Sequence, residues 1–169
     1  MKKIILLLLF LSFLISTEKK NYLSVSNGIL GEKIPVTFLD FSYINEINQK
    51  SEFYGTFSYI IFGFGIGFGH KYYFIDRKKF TPFFSSTLFT VAGGDSWSTQ
   101  TGISLASGLN FSIPKWIPTL IEIMTSSPIN SDRVEKKMNF GFTIYQNFDG
   151  TNGILPFLNV EIKMNGQKW

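Results

Sequence analysis

Thr101–Ile113 reads TGISLASGLNFSI. Thr101, Ile103, Leu105, Ser107, Leu109, Phe111 and Ile113 fall on one side. Gly102, Ser104, Ala106, Gly108, Asn110 and Ser112 fall on the other. A period of two over this length predicts a β-strand, because successive side chains in a strand point to opposite faces. The second face decides what kind of strand it is. A strand with one face in water carries Lys, Glu and Thr on that face. This one carries only small, uncharged residues. Such residues fit the crowded interior of a narrow closed barrel, with the apolar face turned outward.

The same pattern recurs. In Met138–Phe148, Met138, Phe140, Phe142, Ile144 and Phe148 oppose Asn139, Gly141, Thr143, Tyr145 and Asn147, with Gln146 out of pattern. In Ile154–Met164, Ile154, Leu158, Val160, Ile162 and Met164 oppose Asn159, Glu161 and Lys163. In Phe62–His70, Phe62, Phe64, Ile66 and Phe68 alternate with Gly63, Gly65, Gly67 and Gly69. Glycine weakens a strand interior, so this face predicts something that approaches closely: a tight lumen, a loop or an aromatic ring. A phosphate-binding reading fits poorly, because no helix follows the glycines.

Further strands are expected at Tyr22–Ile29, Pro35–Ile44, Glu52–Ile61, Phe80–Val91 and Thr119–Thr125. Turn-rich linkers separate them, including Gly93–Ser98 and Ser126–Lys137. If Glu52–Ile75 is one long strand the count is eight; if it folds back near Gly63–Gly65 the count is nine. Single-chain bacterial membrane barrels have even counts, so the expectation is an antiparallel up-and-down barrel of eight strands, with ten as the alternative.

The chain begins with a leader. Lys2 and Lys3 precede an apolar run, Ile4–Ile15, that is too short to span a bilayer as a helix. Residues 1–17 are therefore read as a signal peptide and 18–169 as one barrel domain. The 169 residues contain no cysteine and one histidine, His70. That removes disulfides, thiolate chemistry and multi-His metal sites, and no cofactor motif is present. Aromatic and charged residues are each 17% of the chain, with 19 Phe, which argues against disorder. The formal charge is +4, but Lys2 and Lys3 contribute half of it. Nucleic acid is not an expected partner.

Charges gather in proposed turns, at Asp76–Lys79 and Asp132–Lys137. Aromatics bracket those turns: Tyr72, Tyr73, Phe74, Phe80, Phe83, Phe84, Trp97, Trp116 and Phe148. These read as interfacial girdles. Taken together, the chain resembles small Gram-negative outer-membrane β-barrel proteins. The resemblance is architectural and carries no family motif. It implies location in the outer membrane, contact with membrane lipid and with lipopolysaccharide, and handling by the outer-membrane assembly machinery. In such proteins the last strand ends in an aromatic residue. Trp169 ends this chain but is out of phase with Leu158–Met164. Oligomeric state is not readable.

Glu122, Glu161 and Lys163 fall within expected strands on the inward side and predict a polar network that fills the lumen, with Asp40 a weaker member. Asp95 lies in a flexible loop. His70 would be the base if the barrel were a lipid A-modifying enzyme, but no serine follows it closely in its own strand. The leading expectation is a structural or surface-binding barrel without catalysis, too narrow for a general porin. A secreted lipocalin-like or β-sandwich binder is the other alternative.

Overall fold

The structure, a computed structural model, describes residues 20–35, 37–60, 63–76, 80–93, 98–114 and 134–165. They form eight antiparallel strands that close into one barrel: β1 (Lys20–Ile29), β2 (Leu39–Asn48), β3 (Ser51–Ile60), β4 (Gly63–Tyr73), β5 (Phe80–Gly93), β6 (Ser98–Ser112), β7 (Val134–Asn147) and β8 (Asn152–Asn165). Each strand pairs with its neighbour in sequence. β8 closes onto β1, with Ser24 opposite Lys163 and Ser26 opposite Glu161. Closure leaves no sheet edge exposed.

Glu52–Ile75 is not one strand: it folds back between Ile60 and Gly63, which face each other. Among the described residues the count is eight, because β6 and β7 pair directly, from Gly102–Asn147 to Ser112–Lys137. Thr119–Thr125 lies outside the described residues. So do the leader, Phe62, Arg77–Lys79, Asp95, Glu122 and all three tryptophans.

Pro35–Ile44 is also shorter as a strand than its pattern suggested, since β2 begins only at Leu39. The preceding segment turns into the lumen. Leu30 makes the turn with φ of 62°, a left-handed conformation that costs a non-glycine residue about 1–2 kcal/mol. Glu32, Lys33, Ile34, Pro35 and Thr37 are then all buried. β7, in turn, starts earlier than expected, at Val134. Glu135, Lys136 and Lys137 therefore belong to a strand and not to a turn.

The remaining turns follow local chemistry. Asn48 Oδ1 accepts from the Lys50 amide at 2.8 Å between β2 and β3. Asp149 Oδ1 accepts from the Thr151 amide at 2.9 Å between β7 and β8, where Gly150 has φ of 98°. Asx acceptors and a glycine at positive φ are what such turns require. The end of β1, the β7–β8 turn at 148–151, the end of β3 and the start of β4 lie at one end of the barrel. The other end holds the start of β1, the end of β8, the β2–β3 turn at 49–50, the end of β4 and the start of β7.

The two faces of the wall differ sharply. Phe41, Tyr43, Phe57, Tyr59, Phe64, Ile66, Phe68, Leu88, Ile103, Leu105, Phe142, Ile144, Ile154 and Leu158 all point outward and are exposed. Ser24, Ser26, Ser42, Thr56, Ser58, Ser85, Thr87, Ser104, Asn110, Asn139, Thr143 and Asn159 point inward and are buried. Two proposed girdle residues are corrected by parity. Tyr73 and Phe83 face inward and are fully buried, whereas Tyr72 and Phe84 beside them are exposed.

Candidate functional site: a plugged, ion-paired lumen

Charges from three strands and from the inturned loop meet inside the barrel. β8 projects Glu161 and Lys163 inward on the same side as Asn159. β3 projects Glu52 in line with Tyr54, Thr56 and Ser58. β4 projects Lys71 in line with Gly65, Gly67 and Gly69. The loop brings Glu32 and Lys33. Lys163 Nζ lies 3.0 Å from Glu52 Oε2, across the lumen, and Tyr73 donates its hydroxyl to Glu52 Oε1 at 3.0 Å. Lys71 Nζ lies 2.7 Å from Glu32 Oε1. Glu161 accepts from Ser24 at 2.8 Å and lies 3.5 Å from Lys33 Nζ. Lys33 also donates to Ser42 at 2.8 Å. All six charged side chains are almost completely buried.

Glu161 and Lys163 stand in register with Lys137 and Glu135 of β7. Even so, Glu161 and Lys163 also make close contacts elsewhere. Lys163 reaches over to β3, and its distance to Glu161 on its own strand is 4.0 Å. Lys137 pairs instead with Glu135 at 3.1 Å. Asp40 accepts from Ser58 and, at 3.3 Å, from Ser26. Charges removed from water need such partners. An uncompensated one destabilises strongly.

The loop is held by more than charge. Ser104 donates to the Lys33 carbonyl at 2.7 Å, and Thr143 points its hydroxyl at the Gly31 and Glu32 carbonyls, both at 3.4 Å. Ile34 sits over the glycine strand. A Cβ at Gly65 would lie 3.2 Å from Ile34 Cδ1, and one at Gly67 would lie 3.3 Å from it. At Gly69 the neighbour is Tyr54, whose hydroxyl pairs with Thr87 Oγ1 at 2.6 Å. The glycine face therefore accommodates both a loop and an aromatic ring.

Toward the other end the lumen is filled by Tyr73, Phe83, Ala106 and Phe157. The Tyr73–Phe83 and Phe83–Phe157 ring centres are 6.3 and 6.2 Å apart, a row that runs from β4 to β8. Lys71 Nζ lies 3.8 Å from the Phe83 ring centre, so its ammonium contacts both a carboxylate and an aromatic face. Asn110 donates to Asn139, which donates to Asn159 at 3.0 Å.

The glycines supply a direct test. A Cβ at Gly69 would lie 2.6 Å from the Tyr54 ring and 2.4 Å from the Ser86 carbonyl oxygen. Gly69→Val is expected to destabilise the barrel by about 1–3 kcal/mol through overpacking. At Gly55 a Cβ meets nothing within 4 Å. Gly55→Ala is expected to be neutral or stabilising by up to about 1 kcal/mol. Urea midpoints of the two variants check both statements, and equal midpoints would contradict the packing account.

His70 is not part of the lumen. It shares the outward side of β4 with Phe64, Ile66 and Phe68, and its Nε2 lies 2.6 Å from Ser51 Oγ of β3. Its ring centre is 4.8 Å from that of Phe53. The serine absent from its own strand is thus supplied by the next one. Glu32, Lys33, Glu52 and Lys71 were not picked out from the sequence. For Glu52 and Lys71 the signal was parity with Tyr54 and Gly69. For Glu32 and Lys33 no periodic signal exists.

No protein-family model matches the chain, and no curated protein matches it by sequence. Among solved structures, the chain is similar to the N-terminal β-barrel domain of Pseudomonas aeruginosa OprF. The TM-score is 0.51 at 11% identity, over 88% of this chain and 96% of that one. The architecture is therefore that of a small closed β-barrel, similar to the OprF barrel domain.

Proposed function

We propose that this protein is an outer-membrane β-barrel of a Gram-negative-type bacterium: a rigid, sealed barrel that serves a structural or surface-binding role without catalysis in its lumen. The observation that carries this reading is the inverted wall, apolar outside and ion-paired inside. In water that arrangement would expose a continuous hydrophobic surface far larger than a soluble monomer tolerates. A lipocalin-like binder would show the reverse, with an apolar interior. The strands, from ten to fifteen residues, meet or exceed the roughly 9–11 that cross a bilayer when tilted. Similarity to the OprF barrel adds support at the level of fold. Membrane lipid and the assembly machinery are the partners this reading implies. The loops joining strands are where binding would occur, because a rigid scaffold displays them.

The test is a charge placed on the outer wall. Phe142 lies well inside β7 and is 62% exposed. In hydrocarbon, Phe142→Arg costs about 2–4 kcal/mol; in water it costs almost nothing. Folding into lipid vesicles, followed by heat-modifiable gel migration, reads the difference. A variant as stable as the parent, or a parent that stays soluble without detergent, overturns the membrane reading.

A further inference from the structure

The outward face is not uniformly apolar. Near the end of the barrel where β1 begins, Ser51, His70 and Ser86 form a polar patch across three adjacent strands. Phe53 faces His70 across the β3–β4 pair, and Ser86 faces it across the β4–β5 pair. Ser86 stands between Phe84 and Leu88 on the outward side of β5, and its small side chain leaves a gap there. The gap continues as a groove of about 310 Å³ lined by Phe53, Phe68, His70, Ser86, Leu88 and Ile103. At the rim next to Ser51, exposed Lys50 lies 3.8 Å from exposed Asp76, a loose surface pair.

Depth orders these groups. Lys50 is in the turn, Ser51 opens β3, and His70 is three residues from the end of β4. At about 3.3 Å per residue His70 lies within roughly 10 Å of the rim. Passing inward from the rim, the wall offers a cation, then a hydrogen-bonding pair, then an apolar groove. A glycerophospholipid carries the complementary order: phosphate, ester, acyl chain. The 2.6 Å Ser51–His70 contact leaves further polar capacity, since a hydroxyl and an imidazole each have more than one hydrogen-bonding position. The Phe53 ring fixes the imidazole beside the groove.

We propose that this patch is a binding site for one glycerophospholipid. One acyl chain lies in the groove, the ester region meets Ser51 and His70, and the phosphate displaces Asp76 from Lys50. The inference rests on the membrane reading above. The experiment is native mass spectrometry of the full chain, folded in mild detergent, with added phosphatidylglycerol. The parent is expected to retain one lipid. Ser86→Phe, which fills the groove, and the pair Ser51→Ala with His70→Ala are each expected to weaken retention about fivefold, as loss of a hydrogen bond or two would. Phe142→Leu, on another part of the wall, is expected to change nothing. Equal retention by parent and site variants overturns the site, as does a second copy of the chain bound in place of lipid. Vesicle insertion separates the two readings. A barrel that inserts but shows no site-dependent retention loses only this proposal, and one that does not insert loses both.

Discussion

Lys163→Met is expected to destabilise the folded barrel by about 3–5 kcal/mol, the range for a buried ion pair deprived of one partner. Lys163 is the cation against Glu52 at 3.0 Å and stands 4.0 Å from Glu161. Methionine fills much of the volume but removes the ammonium that faces the Glu52 carboxylate, which also accepts from the Tyr73 hydroxyl. A neutral hydrogen bond does not replace a cation beside a buried carboxylate. Adding Glu52→Leu is expected to recover a large part of the loss, because apolar groups of similar volume often replace a buried pair at little cost. Urea titration in detergent micelles measures all three states. A single variant within about 0.5 kcal/mol of the parent would show that the pair contributes nothing. A double variant no better than the single would show that loss of packing, not stranded charge, is responsible.

The second large effect concerns the inturned loop. Replacement of residues 31–37 by an Asn-Gly turn removes Glu32 from Lys71, Ile34 from the glycine face, and the carbonyls that Ser104 and Thr143 contact. Lys71 is 1% exposed in the intact barrel. Without the loop it opens to water from that end, and its rate of acylation by an amine-reactive reagent is expected to rise at least about tenfold, as protection by packing is lost. Ion conductance in a planar bilayer is expected to stay low, because the Tyr73, Phe83 and Phe157 rings still cross the lumen. Conductance is expected only when Phe83→Ala and Phe157→Ala are added. A parent barrel that conducts steadily, or a loop variant whose Lys71 remains unreactive, would contradict the two-part seal.

The residues divide by how far their signals reach. The outward and inward faces of β6, β7 and β8 were readable because each strand carries its own alternation, as in Ile103–Ser104–Leu105 and Phe142–Thr143–Ile144. Lumen placement of Glu161 and Lys163 follows from the same alternation. Their partners do not. Whether Lys163 meets Lys137, Glu161 or Glu52 depends on how side chains converge across a closed lumen. Tyr73 and Phe83 face inward although they sit beside turns, because aromatic character there suits either face and only the count along the strand separates them.

By itself, the sequence determined that this chain forms alternating strands with an apolar face and a small polar one, and that its glycine strand must accept a close neighbour. Tertiary structure decided what that neighbour is, which charges pair, and that Ser51 meets His70. The physical reason is that alternation is a property of one strand, with a period of two set by backbone geometry. Pairing depends on register, on closure and on where an irregular loop goes. A loop such as Gly31–Thr37 has no period: it enters the lumen because Ile34 fits over glycine and because Glu32 and Lys33 find opposite charges there.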